Sequence, residues 1–283
     1  MTTTTGSADF KHPKCYANTE GGCSTRISGE HFVSHSLIRL YTFDDPNVTI
    51  QHDNGFGVRH PVSPRRFVAN VLCEAHNNGL SDADAAALKF ATFLREIALR
   101  YQNGSGDWGV NESVEISGDD FQRWVLKLLA THAAGNALTA NGELVKSPIL
   151  DDSIHLLLNR AAWPTTWGLC VAADATNPEL KFDPFSRIET ATDNWWGVTP
   201  MLKNGDQTLI GGVVELAGVG FGLSLYNPGR ELPEFNLPAN PLRGSIRRPS
   251  VMAWELKGVR KQVNFTWDDH HEHKNITYTM QRS

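Results

Sequence analysis

Cys15-Tyr16-Ala17-Asn18-Thr19-Glu20-Gly21-Gly22-Cys23 opens the stretch that decides the fold, and Cys73-Glu74-Ala75-His76-Asn77 closes it. The Gly21-Gly22 pair permits a tight turn that brings the chain back from Cys15 to Cys23. A Cys-x-x-His pair can hold two adjacent corners of a tetrahedron where a turn enters a helix. Together Cys15, Cys23, Cys73 and His76 offer three soft thiolates and one imidazole, a complete donor set for structural Zn2+. The Cys15–Cys23 spacing exceeds the about two to four residues usual between zinc cysteines. The competing reading is therefore three thiols and an incidental histidine. The last cysteine, Cys170, stands alone. In a reducing compartment such cysteines are metal ligands, catalysts or buried thiols rather than disulfides.

Working outward, 283 residues suggest one large domain or two small ones. A chain of this length buries about three quarters of its unfolded surface, so it needs no metal merely to build a core. Hydrophobic residues at 40% and charged residues at 20% exclude collagen-like, coiled-coil and wholly disordered classes. The formal net charge of −5 argues against a protein coated in nucleic acid by bulk charge, but leaves a local basic groove open. Met1 to Cys15 has no apolar core and does not read as a signal peptide. The most apolar stretch, Thr208 to Tyr226, carries Glu215 and several glycines and is a poor lipid-spanning helix. The expectation is a cytoplasmic protein with no membrane partner.

Four segments follow from the patterning. Residues 1–13 read as a flexible tail. Residues 14–103 read as the cysteine-bearing module with a following helix, 104–164 as a helical segment, and 165–283 as a β-rich domain of unknown role. Within the first, Val48 to Gln51 and Phe56 to Arg59 flank Asn54-Gly55, a hairpin signal. Ser81-Asp82-Ala83-Asp84 begins a helix, with Leu88, Ala91, Leu94, Ala98 and Tyr101 at helical spacing to Asn103. Phe121, Trp124, Val125, Leu128, Leu129 and His132 mark a second helix, opened by Gly118-Asp119 and closed by Gly135. A shorter one covers about Asp151 to Ala161. Beyond Trp163-Pro164, β-like runs at 168–172, 210–216, 221–226 and 263–267 are separated by Gly, Pro and Asn. The proline-rich stretch 232–249 reads as an irregular excursion.

Between the cysteine pairs lies Ser28-Gly29-Glu30-His31-Phe32, and Asn77-Asn78 follows the second pair. In this order the chain resembles the HNH nuclease superfamily, a zinc-supported ββα-metal fold. The resemblance covers about residues 14–100. It implies an α+β protein with an N-terminal zinc-bearing ββα-metal module, a helical middle and a β-rich C-terminal region. It implies that His31 is a general base, an imidazole close to neutral pKa. It also implies that Glu30 and Asn77 supply hard oxygen ligands to a catalytic Mg2+ or Mn2+, with Asn78 the neighbouring alternative. Asn70, or Asn54 in the hairpin, would orient the base. His35 and His52 are alternative imidazoles.

The function this resemblance implies is a metal-dependent endonuclease hydrolysing phosphodiester bonds in DNA; the C-terminal region, beyond the resemblance, would then bind substrate, a protein partner or a regulatory ligand. The alternative is a non-catalytic, zinc-stabilised nucleic-acid- or protein-binding module. Convergence of Glu30, His31 and Asn77 on a solvent-accessible point favours the enzyme; a buried His31 favours the module. Asp268 to His273 looks like a metal-binding cluster but, set between two β-runs, reads mainly as a polar hairpin loop. Arg243, Arg247, Arg248, Lys257, Arg260 and Lys261 form a basic run that either follows a nucleic-acid backbone or lies on a solvated face.

Overall fold

The structure is a computed structural model that describes residues 9–42, 45, 47–53, 59–103, 108–140, 143–145, 149–171, 195–203, 208–225, 247–268 and 271–279. The architecture is α+β. The N-terminal half holds α1 (His35–Thr42), strands β1 (Ile50–Asp53) and β2 (Arg59–Val62), then α2 (Glu74–Asn78) and α3 (Ser81–Asn103). Strand β3 (Glu112–Ser117) leads directly into α4 (Gly118–Ala134). The short β4 (Thr139–Ala140) and β5 (Glu143–Leu144) follow, then α5 (Asp151–Leu157). The C-terminal region is β-rich: β6 (Gly168–Val171), β7 (Trp196–Leu202), β8 (Leu209–Leu216), β9 (Val219–Ser224), β10 (Arg248–Leu256), β11 (Val259–Thr266) and β12 (His273–Thr279).

Helix α4 organises the molecule. Ser117 caps it by accepting a hydrogen bond from the Asp120 N–H at 3.1 Å, and Asp119 and Asp120 complement the dipole of its first turn. Its whole expected apolar stripe is buried, but so are Gln122, Leu126, Lys127 and Thr131 on the other faces. The helix is buried nearly all round because α3, α5, strands of two sheets and, at Trp124 and Gly135, the N-terminal module surround it. Gly135 ends it where a Cβ would come within 2.5 Å of the Phe32 ring, so glycine there lets the N-terminal module close on the helix.

One four-stranded sheet has the order β6-β9-β8-β7 and is antiparallel throughout. The other has the order β12-β10-β11-β3. Two hairpins, β8–β9 and β10–β11, turn through Ala217-Gly218 and Lys257-Gly258. All four of these residues have positive φ, at 51°, 79°, 50° and 79°, as a twist-matched two-residue turn requires.

Two details depart from the sequence reading. The 104–164 stretch is not helical throughout, because β3 leaves it to pair in parallel with β11. The β-runs that flank 268–273 do not pair as a hairpin, and residues 269 and 270 lie outside the described residues. Strand β12 runs parallel to β10 instead of pairing with β11, so the connection crosses over β10. Strand alternation also breaks up the basic run. Arg248 and Lys261 are buried, Arg247 pairs with Glu272, and Lys257 is exposed at the turn. Arg243, Asn54-Gly55 and most of 232–249 lie outside the described residues.

A cluster of aromatic rings joins the two halves. Phe121 of α4 lies 5.2 Å from Phe90 of α3, 4.8 Å from Phe221 of β9 and 5.6 Å from Phe265 of β11. A continuous apolar core thus runs from Cys15 to Tyr278.

Candidate metal centre and the polar cluster beside it

Backbone geometry assembles the four expected ligands. Cys15 follows a turn closed by its own N–H on the His12 carbonyl at 3.0 Å, and Tyr16 N–H donates to Val71 at 2.9 Å. A 3-10 turn over Asn18–Glu20 then meets Gly21 and Gly22 at φ 68° and 65°, a left-handed pair that returns the chain to Cys23. Residues 27 to 31 run antiparallel to 68 to 73 through the bridges Ile27↔Cys73 and His31↔Val68. Cys73 caps α2, with its sulfur 3.5 Å from the His76 N–H, so the first helical turn carries His76 back over it.

The ligand atoms of Cys15, Cys23, Cys73 and His76 all lie within 4.8 Å of one another, and all four residues are buried. Nδ1 of His76 is 3.3 Å from Cys15 Sγ, 3.8 Å from Cys23 Sγ and 3.4 Å from Cys73 Sγ. Bonds of about 2.3 Å to sulfur and about 2.0 Å to nitrogen at tetrahedral angles give edges of roughly this length. None of the cysteines forms a disulfide. Burial pushes the Cys15 thiol up to about 12. Ionising it at neutral pH therefore requires a cation at the centre of the cluster. Burial likewise keeps His76 below the ordinary histidine value, as a neutral imidazole donor. The residues present thus fit a single metal ion in a closed four-ligand site.

The other expected residues are arranged differently. Glu30 is only 6% exposed, and its carboxylate lies 2.8 Å from the ammonium of Lys127, itself 3% exposed. Lys127 also lies 2.8 Å from Asp84. Asp84 accepts a 2.5 Å hydrogen bond from Ser34, whose hydroxyl accepts one from Trp124 Nε1 at 3.0 Å. Burial raises the Glu30 pKa against the opposing pull of Lys127. For Lys127 burial alone would lower the pKa, but Asp84 and Glu30 outweigh it and hold the ammonium charged. Asn77 faces Glu30 and donates to Ser28 Oγ at 2.9 Å, while its Oδ1 is buried with no partner.

His31 sits at the edge of this cluster. Its ring stacks on His35 with centroids 4.7 Å apart, and it faces the Pro64 carbonyl. Its Nε2 is buried and has no hydrogen-bond partner. Burial, then the neighbouring His35, lowers its pKa. Glu30 and Asn77 are thus brought together, but in the interior and around a lysine rather than at an accessible point shared with His31.

Asn70, the expected orienting residue, lies two residues beyond the His31↔Val68 bridge. It is exposed in a left-handed conformation, φ 54°, at the one-residue bulge between the two bridges. Of the alternative imidazoles, His35 stacks on His31, and the side chain of His52 lies outside the described residues. Lys127 and Asp84 were missed in the sequence. The available signal was Lys127 itself, the one cation inside the apolar run Val125 to Leu129.

No family model matches the chain, and neither a curated protein nor a solved structure matches it. Among the described residues, no helix is long and apolar enough to cross a membrane.

Proposed function

We propose that residues 14–103 form a zinc-stabilised nucleic-acid-binding module with the layout of an HNH nuclease but without its catalytic cation. The metal assigned to Cys15, Cys23, Cys73 and His76 is Zn2+, because three thiolates and an imidazole in a closed site suit that ion. The observation that carries the non-catalytic reading is the Glu30–Lys127–Asp84 cluster. The carboxylate that would hold Mg2+ or Mn2+ is buried and already neutralised by an ammonium.

A second reading, the HNH-type endonuclease acting on DNA, is favoured by one feature. Burial and His35 lower the His31 pKa, which favours the neutral imidazole a general base uses, although its Nε2 is buried and would have to become accessible to a water.

One experiment separates the two. Purified protein, checked for about one zinc per chain, is incubated with supercoiled plasmid and Mg2+ or Mn2+ beside a His31→Ala control. The module predicts no nicking by either protein. Nicking by the wild type that His31→Ala reduces by about 10²–10⁴ in rate would overturn the module in favour of the nuclease.

A further inference from the structure

His76 is carried by a helix too short to hold itself in place. Helix α2 spans five residues, Glu74–Asn78. Isolated helices below about 12 residues are marginal in water, so the contacts of α2 with its surroundings set where the His76 ring lies. At its start, Glu74 N–H donates to the Arg26 carbonyl at 3.0 Å and Ala75 N–H to Ser24 Oγ at 3.2 Å. The Arg26–Glu74 ion pair beside them is exposed and adds little. At its far end, the residue directly after His76 makes the side-chain contacts. The Asn77 amide donates to Ser28 Oγ at 2.9 Å and faces the buried Glu30 carboxylate. Both of these partners are fixed. Ser28 N–H donates to the Leu72 carbonyl at 2.9 Å, one residue before Cys73, and Glu30 lies 2.8 Å from Lys127 of α4. The Asn77 side chain thus ties the end of α2 to the 27–31 run and, through Glu30, to α4.

We propose that Asn77, held by Ser28 and Glu30, is a positioning residue for the metal centre, fixing the turn of α2 that brings His76 to the three cysteine sulfurs. The assignment rests on the zinc reading above. It departs from the family resemblance, which gives Asn77 to a catalytic cation. The geometry of the ligands makes the position of α2 matter. Nδ1 of His76 lies 3.3, 3.8 and 3.4 Å from the sulfurs of Cys15, Cys23 and Cys73. Cys73 is the cap and precedes the helix, whereas His76 rides on it. A rotation of α2 about its axis therefore moves the imidazole out of the tetrahedron and leaves the Cys73 sulfur behind. The ring also faces the Gly21 carbonyl, which orients the imidazole but does not hold the helix. Asn77, one residue along the same turn, is the side chain that resists the rotation. Partners that orient metal ligands in this way are worth about 10–100-fold in metal affinity.

The test is the Zn2+ affinity of the full-length chain, measured by competition with a chromogenic chelator, beside the visible absorption spectrum of the Co2+-loaded protein, which reports ligand geometry. Wild type is compared with Asn77→Ala, Ser28→Ala, their combination, and Ser28→Thr, which keeps the hydroxyl. Ser117→Ala is the control for stability, since it removes the cap of α4, a hydrogen bond in another element. Circular dichroism establishes that each protein is folded. Asn77→Ala should bind Zn2+ about 10–100-fold more weakly and change the Co2+ spectrum. Ser28→Ala should weaken binding in the same direction, the combination should be no weaker than Asn77→Ala, and Ser28→Thr should restore wild-type affinity, because the two side chains act through one bond. An Asn77→Ala protein with wild-type affinity and spectrum would overturn the assignment and spare the zinc reading. Weakening by Ser117→Ala as large as that by Asn77→Ala would also overturn it, because the effect would then be one of general stability. A wild-type chain that holds no Zn2+ would overturn both.

Discussion

At the residue scale, Lys127 decides most of the chemistry. A carboxylate as buried as Glu30 is costly unless a partner holds it, and here the ammonium contacts it and Asp84 together. Lys127→Met should therefore destabilise the fold by about 3–5 kcal/mol, since it leaves Glu30 with no counter-charge. Adding Glu30→Gln should recover much of that loss, because the neutral amide no longer needs the cation; urea midpoints of the two variants measure the coupling. A double variant as unstable as Lys127→Met alone would mean that packing, not charge, is the source of the effect. The same cluster sets a pH dependence. The folded-state pKa of Lys127 lies above its ordinary value, so its contribution is fully present below the ordinary lysine range and lost as pH rises through the folded value. Wild type should lose its advantage over Lys127→Met in that alkaline window, and also at acid pH, where Glu30, whose pKa burial raises, takes up a proton and no longer needs the cation; paired denaturation curves read both.

At the scale of elements, the sequence exposed the metal centre well and the polar cluster poorly. Cys73 and His76 share one helical turn, and Gly21-Gly22 turns Cys15 back to Cys23. Both features are local, and residue type and spacing carry them. The helices α3 and α4 were legible for the same reason, since periodicity is a local property. The pairing of β3 with β11 and of β12 with β10 was not, because parallel partners are brought together by the core and not by a turn. Glu30 was legible as a candidate ligand, but its real partner comes from α4, almost a hundred residues away, and no spacing rule reaches that far. The module that carries the cysteine–histidine cluster is itself clasped to α5 and the turn after it, where Glu20 meets His155 at 3.3 Å and Arg160 at 2.6 Å. Cys73→Ser should lose the zinc and open residues 14–80 to protease, since the free energy of metal binding is in part folding free energy. Arg160→Ala, which removes a pair whose arginine is half-exposed, should cost under about 1 kcal/mol and keep the metal. Metal analysis with limited proteolysis reads both outcomes, and a Cys73→Ser protein that keeps its zinc would remove Cys73 from the ligand set.

At the scale of the whole molecule, the question is whether the N-terminal module and the β-rich region unfold together. Sequence alone suggested a boundary near Trp163-Pro164, where the patterning changes from helical to β-like. The core crosses that boundary. Phe90 and Phe121 belong to the helices and Phe221 and Phe265 to the two sheets, and Phe90 also meets Phe221 at 5.4 Å. Phe32 of the cysteine-bearing module lies 5.2 Å from His132 of α4, and His132 lies 5.5 Å from Trp196 of β7. Removing residues after Pro148 would strip α4 of its sheet partners, so a chain ending there should bind zinc but be poorly soluble. The sharper test leaves the chain whole. Phe221→Ala deletes a fully buried ring from β9 and should cost about 3–5 kcal/mol. Phe221 lies in β9, and the four candidate ligands all lie within the first 80 residues, so in two independent units its loss would leave zinc retention unchanged. In one cooperative body, zinc release followed with a chromogenic chelator and unfolding followed by circular dichroism share a midpoint, and Phe221→Ala shifts both downward together. Two separated transitions, with zinc release unmoved by Phe221→Ala, would mean that the aromatic cluster does not couple the halves and that the zinc module stands by itself.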